Sequence, residues 1–258
     1  MSNETTSQPS VIPEISAITR DDLKEVLRAG LADFKRAPAF GILFSAVYVL
    51  GGLMLYMVLT AAGQTWWLIP LSAGFPLLAP FLAVGLYEVS RRIEREEALD
   101  WNSVLGVVFA EKDRQIPSMA VVILVFFMFW VFVAHTVYAL FFGLTPFAGS
   151  FAEKLFMTPE GLTMLLVGSV IGGAMALALF SVMVISLPLL LDKEVDFVTA
   201  MITSYGAVTR SPVAMLTWAA IIAGSLFLAM LPVFLGLFLA LPVLGHASWH
   251  LYRKVLPD

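Results

Sequence analysis

Four stretches of this chain constrain its fold more than anything else in it. Phe40–Ala62, Leu68–Val89, Met119–Phe142 and Leu162–Leu191 are long, apolar and almost free of charge. A bilayer core of roughly 30 Å needs about 20 such residues in a helix. A fifth apolar block, Val213–Tyr252, would be about 60 Å long as a single helix, twice that core. Leu231-Pro232 sits near its middle, and proline disfavours helical geometry in the residue before it. The block therefore divides into Val213–Met230 and Val233–Tyr252. The expected architecture is all-α: a polytopic membrane protein with six transmembrane helices in three hairpins. Composition agrees, with 60% hydrophobic and 13% charged residues against about 25% charge in soluble domains.

Charge placement orients these spans. With an even number of spans and the N-terminus inside, fourteen of the fifteen Lys and Arg residues fall on the inner side. Only Lys154 lies outside. This is the positive-inside pattern, and it predicts cytoplasmic N- and C-termini in an inner membrane. Trp66 and Trp67 fit the outer interfacial belt, and Tyr87, Trp249 and Tyr252 the inner one. Residues 1–20 are polar and read as a disordered cytoplasmic tail. They contain no apolar signal-peptide core, so the first span is expected to act as an uncleaved signal anchor. The remainder, 21–254, reads as one membrane domain.

Three inner segments resemble one another. Asp22-Leu-Lys-Glu-Val-Leu leads to Pro38, Asp100-Trp-Asn-Ser-Val-Leu to Pro117, and Asp196-Phe-Val-Thr-Ala-Met to Pro212, at separations of 16, 17 and 16 residues. Helical periodicity places Leu23, Val26, Leu27, Leu31 and Phe34 on one face. Trp101, Val104, Leu105 and Val108 form the matching face of the second segment, and Phe197, Met201, Tyr205 and Val208 that of the third. Thr19 or Asp22, Asp100 and Asp196 are suitable N-caps. Each proline can open the following span, where its missing N–H is harmless. The expected unit is an amphipathic cytoplasmic helix followed by a transmembrane hairpin, used three times (21–92, 98–191 and 195–254).

Chemistry-bearing residues are few. No Asp, Glu, Lys or Arg falls in the middle of a span, which argues against a proton pump or a pore for charged substrates. Glu88 is expected to pair with Arg91 and Arg92. His246 and His250 share a helix face and are the weak candidates for cofactor binding. They lack a third ligand, and hydrogen bonds to backbone or lipid headgroups at the inner interface are the expected role. His135 lies too far along its span to join them. No metal site, cofactor or catalytic residue is expected, and so no enzyme. The chain has no cysteine, which removes disulfides and thiolate-bound metals. A net charge of −4 gives no footprint for nucleic acid. Pro76, Pro80, Pro188 and Pro242 interrupt spans, and Gly168, Gly172 and Ala176 form a stripe suited to close helix packing.

Phe75-Pro-Leu-Leu-Ala-Pro-Phe-Leu-Ala-Val-Gly-Leu-Tyr-Glu-Val-Ser-Arg-Arg92 and Leu241-Pro-Val-Leu-Gly-His-Ala-Ser-Trp-His-Leu-Tyr-Arg253 resemble stretches of a bacterial domain-of-unknown-function family. Its members are described as predicted integral membrane proteins, some labelled cytochrome c oxidase subunit I-like. The resemblance covers almost the whole chain after residue 20. It implies topology, and through the label an association with respiratory complexes. Three histidines cannot supply that subunit's metal centres. The expected function is a non-catalytic accessory, assembly or organising factor of a respiratory or other membrane complex, in contact with membrane lipids. The rival is a transporter or channel for a neutral or lipid-like substrate, which a cavity within the bundle would favour.

Overall fold

The computed structural model describes residues 14–64, 79–110, 116–143 and 151–257. Regular structure among them is helical: α1 (Arg20–Arg36), α2 (Pro38–Ala61), α3 (Ala79–Glu94), α4 (Trp101–Ala110), α5 (Ile116–Phe142), α6 (Phe151–Met157), α7 (Pro159–Met183), α8 (Ser186–Asp192), α9 (Phe197–Arg210), α10 (Pro212–Met230) and α11 (Leu237–Val255). Four helical stretches have the length and apolarity to cross a membrane: Pro38–Ala61, Pro117–Phe142, Pro159–Asp192 and Pro212–Met230, at mean hydropathies of 2.1 to 2.5. Their outer faces carry exposed large apolar side chains such as Leu50, Met54, Val125, Phe132, Leu166 and Leu228. In water such a surface would drive aggregation; in lipid it is the solvated face.

Residues 68–78 of the expected second span, with Pro76, lie outside the described residues, as do Trp66 and Trp67. The expected sixth span starts later than its apolar block. A turn at 231–236, with Val233 and Phe234 at positive φ, precedes α11. This helix is not among the four apolar stretches, because it carries His246, Ser248, His250, Arg253 and Lys254. It is the core of the bundle. Leu244 through Trp249 are consecutively buried, and α1, α2, α3 and α10 pack around it. A helix buried along most of its length has little membrane-facing stripe to declare it.

The start of each amphipathic segment forms as its residues dictate. Thr19 and Asp22 make a reciprocal capping box at α1, so both residues expected as alternatives take part. The Asp100 side chain accepts from Ser103 N, and Asp196 caps α9 through Thr199 N. Ala37 and Ser211, each preceding a proline, adopt nearly the same backbone (φ −133°, ψ 54° and φ −132°, ψ 59°). Each also donates its N–H to the carbonyl four residues earlier. The corresponding middle junction at 111–115 is outside the described residues.

The buried faces overlap only in part with the periodic apolar ones. Helix α1 buries Leu23, Val26, Gly30 and Asp33, leaving Leu31 exposed. In α4, Val104 is buried while Trp101 is exposed and stacks near Phe40; the side chain of Val108 is outside the description. Helix α9 buries Ala200, Thr203, Ser204, Ala207 and Val208, and exposes Val198, Ile202 and Tyr205. Small residues win these faces because the helices approach closely. A Cβ on Gly30 would meet Ala247 N and Val243 O of α11 at 2.6 Å.

The prolines act unequally. Pro188 cannot donate to the carbonyl of Val184, and the helix breaks at Val184–Ile185 between α7 and α8. Ser204 of α9 fills the gap: its Oγ accepts from Ile185 N at 3.1 Å and donates to Ser181 O at 2.9 Å. Pro80 lies in the first turn of α3, and Pro242 sits inside an unbroken α11. Gly172 packs closely on the Trp130 ring as expected, whereas Gly168 faces open space. In the segment 143–161, residues 144–150 are not described, and Leu155 of α6 packs with Tyr138 and Phe142. Glu14–Thr19, assigned by sequence to the tail, is part of the folded body. Ser16 N donates to Val255 O, and Ile18 N to Ser211 Oγ.

Candidate functional site

Two features stand out on either side of α11. The first is a buried polar chain linking α1, α3 and α11. Asp33, 6% exposed, accepts from Ser90 Oγ and from His250 Nε2, each at 2.8 Å on the same oxygen. Ser90 Oγ also lies 2.8 Å from His246 Nδ1. A carboxylate can only accept, so the Ser90 hydroxyl proton points to Asp33 and Ser90 accepts from His246 Nδ1–H. That fixes His246 as the Nδ1 tautomer and leaves Nε2 a bare acceptor, buried and without a hydrogen-bond partner among the described residues. Burial opposes the charge on Asp33, but the hydrogen bonds from His250 and Ser90 outweigh it and hold the carboxyl below the ordinary range.

The two histidines match the sequence expectation in part: His246 has a backbone hydrogen bond at Leu86, but both are also held by Asp33 and Ser90, which sequence reasoning did not single out. The one available signal was an Asp on the α1 face that carries Leu23, Val26 and Gly30, three residues before the end of the helix. Among the described residues no group of three His, Cys, Asp or Glu is placed to hold a metal ion.

Around this chain the charged groups form a clasp. Glu88 is fully buried and pairs with Arg91 and Arg92 as anticipated. Arg95 and Tyr252 both reach Asp192, while Arg253 and Trp249 reach Glu94. Lys254 bonds Asp22 and Glu25 of α1. With Thr19, it pulls the Asp22 carboxyl down to about 2. The C-terminal ends of α3, α8 and α11 are thereby locked together, with α1 across them.

The second feature is a cavity of about 630 Å³, partly open, between α2, α3, α7, α10 and α11. Its walls are apolar: Phe44, Leu86, Phe180, Leu226 and Leu244 are typical. Small residues (Gly173, Ala176, Ala219, Ala223) line the α7 and α10 sides, and these two helices approach each other little if at all among the described residues. Thus Ala176, read in the sequence as part of a packing stripe, borders open space. Among the described residues no charged side chain lines the cavity; the hydroxyl-bearing residues of its lining are Ser45, Tyr48, Tyr87 and Ser248. Volume and lining fall in the range of small-molecule sites, about 300–1,000 Å³ and mostly apolar with a few polar groups.

No curated protein and no solved structure matches the chain. Residues 68–192, from before α3 to the end of α8, match the model of a family described as "Predicted integral membrane protein (DUF2189)". Over that stretch the chain is similar to a family of predicted integral membrane proteins, in agreement with its long apolar helices.

Proposed function

We propose that this protein is a non-catalytic bacterial inner-membrane protein that binds a neutral, lipid-like molecule within its bundle, as a carrier or organiser of that molecule. The observation that carries this reading is the cavity: roomy, apolar and free of charged lining residues. A desolvated charge inside it would favour an ionic substrate, and none is present in the described lining. The polar chain and the ionic clasp serve to fix α3 and α11, two of its walls, to α1 and α8.

The orientation inferred from charge places the clasp in the cytoplasm, with six spans in three hairpins. The like backbone at Ala37 and Ser211 supports a repeated helix-then-span unit. Cysteine-scanning accessibility at Lys35 and Lys154 tests that topology. For function, purified protein would be extracted and its co-purifying lipids identified by mass spectrometry. Stoichiometric enrichment of one neutral lipid over bulk membrane supports the reading; bulk composition alone counts against it.

The second reading, an accessory factor of a respiratory or other membrane complex, is favoured by the outward apolar stripe Val198, Ile202 and Tyr205 of α9. Such a stripe suits the membrane interface or a partner protein. The same purification in mild detergent decides: stoichiometric complex subunits support it, and recovery of the protein with lipid alone removes it.

A further inference from the structure

Many helical hydroxyls of this protein are satisfied within their own helix, and Ser45 is not. Thr136, Thr163, Ser181, Thr203, Thr217 and Ser248 each donate to the carbonyl four residues earlier. This back-bonding satisfies a hydroxyl where water is absent. Ser45 is 1% exposed, and its Oγ has no hydrogen-bond partner among the described residues. It lines the cavity. Tyr48, one turn further along α2, lines the same space, as do Tyr87 and its hydrogen-bonded partner Ser248. Hydroxyl-bearing residues from three helices therefore border one cavity whose described lining is otherwise hydrocarbon. An orphaned hydroxyl is a cost to the empty protein unless something else completes it.

We infer that Ser45 and its neighbouring hydroxyls form a head-binding subsite, which selects an apolar molecule bearing one neutral hydrogen-bonding group such as a hydroxyl, ester or ketone. This rests on the proposed lipid-like ligand and narrows its class. A phosphate head is excluded by the chemistry of the lining: it would be desolvated with no cation to meet it. A pure hydrocarbon would fill the volume but leave Ser45 unmet. The occupant is a single-tailed molecule, because about 630 Å³ suits one chain with a compact head.

The test uses the full chain in detergent and three probes that share one chain length: mono-oleoylglycerol, octadecene and oleoyl-lysophosphatidylglycerol. Binding is read by native mass spectrometry and by thermal stabilisation. Mono-oleoylglycerol should bind at one per chain and more tightly than either other probe. S45A should weaken it roughly five- to tenfold, the worth of one hydrogen bond, and leave octadecene unchanged. Without ligand, S45A should melt no lower than wild type, since it removes an unmet polar group. If octadecene and mono-oleoylglycerol bind alike and S45A changes neither, the head subsite is wrong while the lipid reading survives. If the lysophospholipid binds best, the neutral-head inference is wrong. If S45A melts clearly lower, Ser45 has a structural partner and the inference also falls. Saturable binding by none of the three would instead overturn the lipid-binding reading itself.

Discussion

Asp33 is where the structure makes its sharpest energetic claim. Replacing it with Ala removes the acceptor of two 2.8 Å hydrogen bonds and strands the Ser90 hydroxyl and the His250 Nε2–H. Each bond to a charged group contributes about 1.5–3 kcal/mol net, and each stranded buried donor costs about 1–3 kcal/mol. These terms overlap, and His250 is partly exposed and can turn to water. We expect D33A to destabilise the fold by about 3–4 kcal/mol, within the range for breaking a buried pair. D33N keeps an acceptor of the same shape but loses the charge and presents an amide donor to its neighbours; about 1–2 kcal/mol is expected. Reversible unfolding in mixed micelles, monitored by tryptophan fluorescence, would give both values. A cycle with S90A should show coupling of about 1 kcal/mol or more, as for residues in one network. D33A costing less than about 1 kcal/mol, or S90A and D33A adding independently, would refute the network as a structural element.

Other expectations follow from the same geometry. G30A should destabilise by about 2 kcal/mol, because its methyl meets fixed α11 backbone and strain outweighs the roughly 1 kcal/mol of helix propensity gained; G106A, facing open space, should instead stabilise slightly. The pair of melting shifts, with opposite signs, is the check. S204A should cost about 1–3 kcal/mol by unsatisfying Ile185 N and Ser181 O at the helix break, and protease cleavage near 184–186 should rise. Asp22 and Asp33 have depressed folded-state pKa values, so their stabilisation is present above the ordinary value of 3.8 and is lost as pH falls through the folded value. For Asp22 that window runs from near 4 down to about 2. Melting temperature should fall as pH drops below about 4, less steeply in D22N, and equal slopes in the two proteins would contradict the Lys254–Asp22 link.

What the sequence disclosed was local. Apolar length marked the four long spans, Thr19, Asp100 and Asp196 announced helix starts, and prolines 38, 117 and 212 marked junctions, because each depends on residues within a turn or two. The polar chain joins Asp33 to Ser90 and His250 across 57 and 217 residues, and no periodicity encodes such a pairing. Apolar periodicity also misled. In α9 the larger apolar residues Phe197, Met201, Tyr205 and Val208 share one face, yet of these Val208 alone is buried, beside Ala200, Thr203, Ser204 and Ala207. In a membrane, apolarity no longer distinguishes inside from outside, and closeness of approach selects small residues for the interface. The cavity was invisible for a related reason. It is set by where α7 and α10 stand apart, a property of the packing of whole helices.

The two features of the site are opposite sides of one helix. His246 and His250 of α11 meet Ser90 and Asp33, while Leu244, Gly245 and Ser248 of the same turns line the cavity. Anything that moves α11 along its axis must therefore break the polar chain and reshape the cavity wall together. The close approach of Gly30 to Ala247 resists such a slide, and so do the ties from Lys254 and Arg253 to α1 and α3. The family match spans only the α3–α8 part of this arrangement. It contributes Ser90, Tyr87 and the α7 wall, whereas Asp33, Ser45 and both histidines come from flanking helices. The matched stretch by itself supplies only part of either feature. It needs α1 and α2 from before it, and α10 and α11 from after it, to complete the polar chain and close the cavity.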